Sequence, residues 1–183
     1  FLISLIFLIS AIIWVTMAGF ALPLALLAGF IFGKWLGTFI LIFGMTIGAT
    51  ILYMFSNYFF KEIIKEKFLD KFKNLEIKFK KSEFIYLLIY RFVGGIPFVL
   101  SNILPCIFNV KVSNFFMATL IGLIPQIFLL VSIGSGLEKI IEQNLEAPKI
   151  IDLIYSPEIY TPILAFVALL IITIVGKKIF YKK

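Results

Sequence analysis

Two apolar stretches of this chain, residues 19–33 (GFALPLALLAGFIFG) and 84–109, are interrupted by Pro and Gly in a way that ordinary membrane-crossing helices are not. Pro23 lies inside the first; Arg91, Gly94, Gly95, Pro97 and Pro105 lie inside the second. Proline has no N–H and its ring clashes with the carbonyl four residues back, so it breaks a helix. In hydrocarbon the freed backbone groups are tolerated only where protein or a water-filled cavity covers them. Interrupted segments in two parts of one chain are the sequence mark of a transport site at bilayer depth. That the surroundings are a bilayer follows from composition. Apolar residues make up 62% of 183 and the mean hydropathy is +1.10, against about 45–50% apolar in a soluble domain. The expected fold is all-α: one polytopic membrane domain over residues 1–183, with two oppositely oriented re-entrant hairpins and about four transmembrane helices.

Charge sets the expected topology. Residues 61–83 hold eight Lys and five acids, residues 138–158 hold five acids and two Lys, and the tail carries Lys177, Lys178, Lys182 and Lys183. The positive-inside rule places the first loop and the C-terminus in the cytoplasm and the acidic loop outside. A C-terminal span over about 159–176 joins the last two, at the short end of what crosses a core of about 30 Å. Residues 84–109 and 112–133 both lie between the inner and outer loops, so only one of them crosses. Residues 112–133 are the better span, kinked at Gly122 and Pro125 and closed by a corner at Gly134–Gly136. Residues 84–109 then form a hairpin that turns at Gly94-Gly95-Ile96-Pro97. Upstream, residues 35–55 cross, and residues 19–33 are too short to do so and read as a second re-entrant segment. Residues 1–17 read as a first span that starts inside; since the run opens at Phe1 with no Met, the true N-terminus is expected upstream.

A weak internal likeness accompanies this arrangement: the segment from Phe32 to Phe39 resembles that from Phe108 to Phe115. Between the halves, Phe60, Ile64, Phe68, Phe72, Leu75 and Phe79 recur every three or four residues among Lys. An amphipathic cytoplasmic helix over about 58–81 is expected, lying in an anionic headgroup layer or against the membrane domain. Gly29, Gly33 and Gly37 repeat every fourth residue, as do Gly44 and Gly48, and such faces let helices approach closely in lipid. Pro23, Gly122 and Pro125 join them as hairpin and packing positions.

Arg91 is the charge inside a membrane segment. Placing a charge at the bilayer centre costs about 2.5–3.5 kcal/mol on insertion scales, so it normally faces a partner or a wet cavity. Two readings stay open. The guanidinium anchors an anionic group such as a lipid phosphate, or it snorkels to the headgroups and caps freed carbonyls. No acid lies between Glu83 and Glu138 to pair with it. Gly94, Pro97, Ser101, Asn102, Asn109 and Ser113 surround the hairpin tip and exit, where they either contact a headgroup or satisfy broken helices. Lys34 beside Trp35 reads as an interfacial anchor.

The remaining chemistry is excluded or thin. With no His and one Cys, Cys106, disulfide frameworks and Cys/His metal sites are ruled out within this chain. Gly33-Lys34 lacks the spacing of a phosphate-binding loop, and no paired carboxylates or intramembrane acids offer acid–base work or a proton relay. The chain is expected to be no enzyme and to need no cofactor. Its +7 net charge is explained by Lys beside anionic lipid rather than nucleic acid.

Several residues together resemble a known family. Ala28-Gly-Phe-Ile-Phe-Gly33 leads to Gly37 and then Gly48-Ala49. Later come Arg91, Gly94, Pro97-Phe98, Asn102, Phe115/Phe116, Thr119, Gly122, Pro125 and Gly134/Gly136. Over about residues 15–137 the pattern is similar to the VTT-domain, or SNARE-associated Golgi protein, family of the DedA superfamily. Gly94 stands where the family often has Pro, and the membrane acids and second Arg of the DedA branch are missing. The resemblance implies facing re-entrant hairpins and movement of phospholipid or polyprenyl-phosphate between leaflets, with anionic headgroups as partners. A coupled solute transporter and a non-transporting organiser are the alternatives, and a homo-oligomer is left open. Usage rich in Lys, Ile, Phe and Asn points to a bacterium and hence its inner membrane.

Overall fold

The computed structural model describes residues 1–63, 66, 82–93, 97–143 and 155–180, and all regular structure among them is helical. In order these are α1 (Leu2–Thr16), α2 (Ala21–Phe59), α3 (Glu83–Val93), α4 (Phe98–Ile103) with a 3-10 turn (Leu104–Phe108), α5 (Val112–Gly122), α6 (Ile124–Gln143) and α7 (Pro157–Phe180). Most of the expected amphipathic helix, the Gly94–Ile96 tip and residues 144–154 of the acidic loop lie outside the described residues. Among the described residues, two helices, Ala21–Phe59 and Ile124–Ile141, are by length and composition apolar enough to cross a membrane. The chain divides into two compact units: Phe1–Leu24 with Phe39–Ile124, and Ala25–Thr38 with Pro125–Lys183.

In the second unit the decisive residue is Gly33, whose φ of 71° and ψ of 176° interrupt α2. A Cβ built on Gly37 would fall under 3.0 Å from the Ala28 carbonyl oxygen. An unbroken helix holds residues nine apart at about 13.5 Å, so the chain folds back on itself at Gly33. The sequence pattern reads residues 19–33 as the re-entrant segment, with Pro23 as a hairpin and packing position. Pro23 lies in the first turn of α2, where its missing N–H has no intrahelical partner to lose. Nothing lies within 4 Å of a Cβ on Gly33, so its requirement is conformational alone. Gly33→Ala is expected to lower stability by about 1–3 kcal/mol, read as a fall in thermal unfolding temperature in detergent; an unchanged midpoint would show that the reversal does not depend on this backbone.

The arm before Gly33 meets α6 backbone to backbone. A Cβ on Gly29 would fall well under 3.0 Å from the Val131 carbonyl oxygen, and one on Gly134 equally close to that of Leu26. Gly134–Gly136 therefore does not close a span. It sits mid-helix, and α6 runs on to Gln143. The cost of helix-interior glycine, about 1 kcal/mol relative to Ala, is offset by packing that a side chain would prevent. At the expected kink α5 ends at Gly122 and α6 begins at Ile124 with Pro125 in its first turn, while Leu123 between them keeps right-handed helical angles and donates to the Thr119 carbonyl at 3.1 Å.

In the first unit, Gly44 faces Leu8 and Ala11, and Gly48 faces Ile12 and Val15. The numbers rise together, so α1 runs parallel to this part of α2. This corrects the expected topology: Leu2 lies at the end of the unit remote from Lys61, not on its side. With no charge between Phe1 and Lys34, the positive-inside rule has nothing there to act on.

The second interrupted stretch begins and ends at one place. Glu83 Oε2 accepts from the Lys111 backbone N–H at 3.1 Å and from Asn114 Nδ2 at 2.7 Å, and Lys61 Nζ donates to Asn109 Oδ1 at 3.0 Å. The start of α3, the exit from the 3-10 turn and the end of α2 thus share a polar end. From there α3 and α5 run side by side in the same direction, since a Cβ on Gly122 would lie 2.5 Å from that of Arg91. In the register pairing Phe32 with Phe108, Gly33 falls on Asn109, and both adopt positive φ. Val15 falls on Arg91. Val15 and the Ile12 carbonyl meet Gly48 much as Arg91 and the Leu88 carbonyl meet Gly122, but in this register Gly48 falls on Ile124, two residues past Gly122. Outside these seams the units are coated with apolar side chains: Ile3 is 66% exposed, Phe39 63% and Leu164 61%. Such a coat would aggregate in water and is ordinary in lipid.

Candidate functional site

The site is built in the first unit from three short elements around one arginine. Arg91 is in the last turn of α3 and is 3% exposed. Its Nη1 donates to Ser101 Oγ and its Nη2 to Asn102 Oδ1, each at 2.7 Å. Ser101 Oγ in turn donates to the Phe98 carbonyl at 2.7 Å. Residues 10 and 11 apart could not meet in one helix, so the bonds tie α3 to α4.

The arginine lies along one face of α5. Its Cβ is at Gly122, while its guanidinium carbon is 5.0 Å from the Phe115 ring centroid and 6.0 Å from that of Phe98. Long helical side chains lean toward the helix N-terminus, here toward the polar end of the unit. The guanidinium does not reach it. Phe115 is stacked on Tyr53 with centroids 4.4 Å apart and planes at 13°, and Tyr53 OH donates to the Val110 carbonyl at 2.6 Å. This charge is thus buried in protein against aromatic faces, a favourable cation–π arrangement.

Two polar groups of the cluster have no hydrogen-bond partner among the described residues: Asn102 Nδ2 and Thr119 Oγ1. Both residues are 0% exposed. Asn102 must turn its oxygen to Arg91, which fixes its amide nitrogen as an unused donor. Thr119 lies between Phe115 and Gly122 on the same face of α5, one turn from each. A buried polar atom left unpaired costs about 1–3 kcal/mol. The combination of guanidinium, amide N–H₂ and hydroxyl is donor-rich and suits an anionic oxygen.

The other residues that the sequence singles out, Pro97, Asn109, Gly94 and Ser113, fare differently. Pro97 is exposed at the start of α4. Asn109 takes a left-handed conformation, φ 52°, and accepts from Lys61 at the polar end, outside the Arg91 cluster. Gly94 lies outside the described residues. Ser113 is exposed in the first turn of α5. Sequence reasoning misses Tyr53 and Glu83. A Tyr within an apolar helix is itself a signal, because its buried O–H needs an acceptor; nothing local in the sequence reveals that Glu83 joins the start of α5.

The VTT-domain profile matches residues 19–136. The uncharacterized protein YqeD of Bacillus subtilis strain 168 is 30% identical over 131 residues, covering 70% of this chain and 62% of that protein. Transmembrane protein 41 homologs are also similar. That of Dictyostelium discoideum is 27% identical over 136 residues (70% of this chain, 41% of the relative), and that of Caenorhabditis elegans 26% over 136 residues (70% and 55%). The chain thus spans about two fifths to three fifths of the length of these relatives. No solved structure matches it. The matched region contains the whole Arg91 cluster, and the names of the relatives agree with the apolar coat in indicating a membrane protein.

Proposed function

The chain belongs to the VTT-domain family, and from that premise we propose that it moves phosphate-bearing lipids, phospholipid or polyprenyl-phosphate, between leaflets of a bacterial inner membrane. The reading has the loop after Lys61 and the C-terminus in the cytoplasm. Interrupted segments dip into the bilayer from opposite faces and make a polar seam through which a headgroup passes while acyl chains stay in lipid. The observation that carries it is the pair of unused donors, Asn102 Nδ2 and Thr119 Oγ1, beside a buried guanidinium. A phosphate oxygen satisfies such donors and is bound by a guanidinium in a fixed fork. The shared polar end of α3 and the 3-10 turn supports insertion and return on one side.

A leaflet-exchange measurement with the purified chain in vesicles, using labelled lipids of several headgroups including polyprenyl phosphate, tests this. Exchange of phosphate-bearing lipids well above that of protein-free vesicles is expected. Exchange at the protein-free rate for every headgroup, with solute uptake that follows a pH gradient, would overturn it in favour of a coupled carrier.

A further inference from the structure

The second unit contains a cavity of about 390 Å³ that the Arg91 reading does not use. It is lined by Lys34, Lys139, Ser132, Ser135, Thr161 and Phe128, among others, with no carboxylate among the described lining residues. We propose that this cavity is a second anion site, which takes the phosphate-ester headgroup of an anionic lipid.

Two ammonium groups sharing one cavity repel each other, and an anion between them converts that repulsion into two attractions. Ser132 directs its proton to the Phe128 carbonyl at 2.6 Å, so Ser135 and Thr161 are the hydroxyls that supply donors. The break at Gly33 adds the positive end of the helix that restarts at Lys34, whose first N–H groups lack intrahelical acceptors. Two ammonium-bearing side chains and two available hydroxyls therefore line one cavity, and its volume is that of a small-molecule site.

Its setting points to lipid rather than free phosphate. Phe128, Pro162 and Ala165 give the cavity an apolar wall. Phe128 also packs on Trp35, with ring centroids 5.2 Å apart, and Trp35 is 71% exposed. An exposed Trp beside Lys is characteristic of headgroup depth. A headgroup with a glycerol backbone uses both the charged floor and the apolar wall; inorganic phosphate uses only the first. The site rests on equilibrium binding and is independent of whether Arg91 moves a headgroup.

Titration calorimetry of the full chain in neutral detergent, with short-chain phosphatidylglycerol and with inorganic phosphate, tests the proposal. Phosphatidylglycerol should bind, and Lys34→Gln with Lys139→Gln should weaken it roughly thirtyfold. Both lysines are exposed, so this pair should fold, and K34R with K139R should retain binding within a few fold. Lys177→Gln with Lys178→Gln, an equal change in net charge elsewhere, should leave it unchanged. Wild-type binding by the K34Q/K139Q pair, or equal loss in the K177Q/K178Q pair, overturns the site. Equal affinity for inorganic phosphate would uphold the anion site and overturn its assignment to lipid.

Discussion

Arg91→Gln is expected to slow exchange of phosphate-bearing lipids roughly thirtyfold, the equivalent of ~2 kcal/mol for a charge-assisted hydrogen bond. Exchange of a diacylglycerol, which has no phosphate, should change far less. Glutamine is too short and too poor in donors to reach both Ser101 Oγ and Asn102 Oδ1 from α3, and it removes the charge beside Phe115. Arg91→Lys should fall between, because the ammonium keeps the charge and loses the planar fork. The comparison matters because Arg91 also joins α3 to α4. If its role is only to hold that reversal, the Gln variant should lose folded yield and slow every lipid alike, headgroup or none. Headgroup-selective slowing with a monodisperse protein is the outcome that assigns it to substrate.

The second large effect is structural. Gly29→Ala is expected to lower stability by about 3 kcal/mol, at the upper end of the range for overpacking. In thermal unfolding this corresponds to roughly 10 °C. The new methyl would meet the Val131 carbonyl oxygen and the Ser135 backbone nitrogen, and neither can rotate away as a side chain can. Gly44→Ala makes the internal control. Its neighbours are the Ala11 methyl at 3.0 Å and a Leu8 methyl at 3.4 Å, which can give by tenths of an ångström, so a change under about 1 kcal/mol is expected. Equal midpoints for the two variants would show that the arm before Gly33 is not seated on α6 as described.

Much of this fold is legible in the residues. The helical class follows from composition, and the kink between α5 and α6 from Gly122 and Pro125. The importance of Arg91 and Asn102 follows from their polarity in an apolar run. Other features are not legible, for a common reason. The place of the first reversal depends on one glycine's left-handed backbone, which looks no different in sequence from the helical Gly29 and Gly37 around it. Gly134 reads as a helix end when considered alone, and becomes a packing position only because Leu26 approaches it.

Sequence alone determined that this chain is helical, apolar throughout, twice interrupted and armed with one buried-type cation, because each of these is a property of residues and their near neighbours. Only the tertiary structure decided that α1 runs parallel to its neighbour in α2, that Arg91 lies buried against the rings of Phe115 and Phe98, and that Lys34 shares a cavity with Lys139. Those outcomes depend on which backbones can touch, and close approach in lipid is a matter of shape complementarity between residues far apart in the chain, which local pattern and charge do not encode.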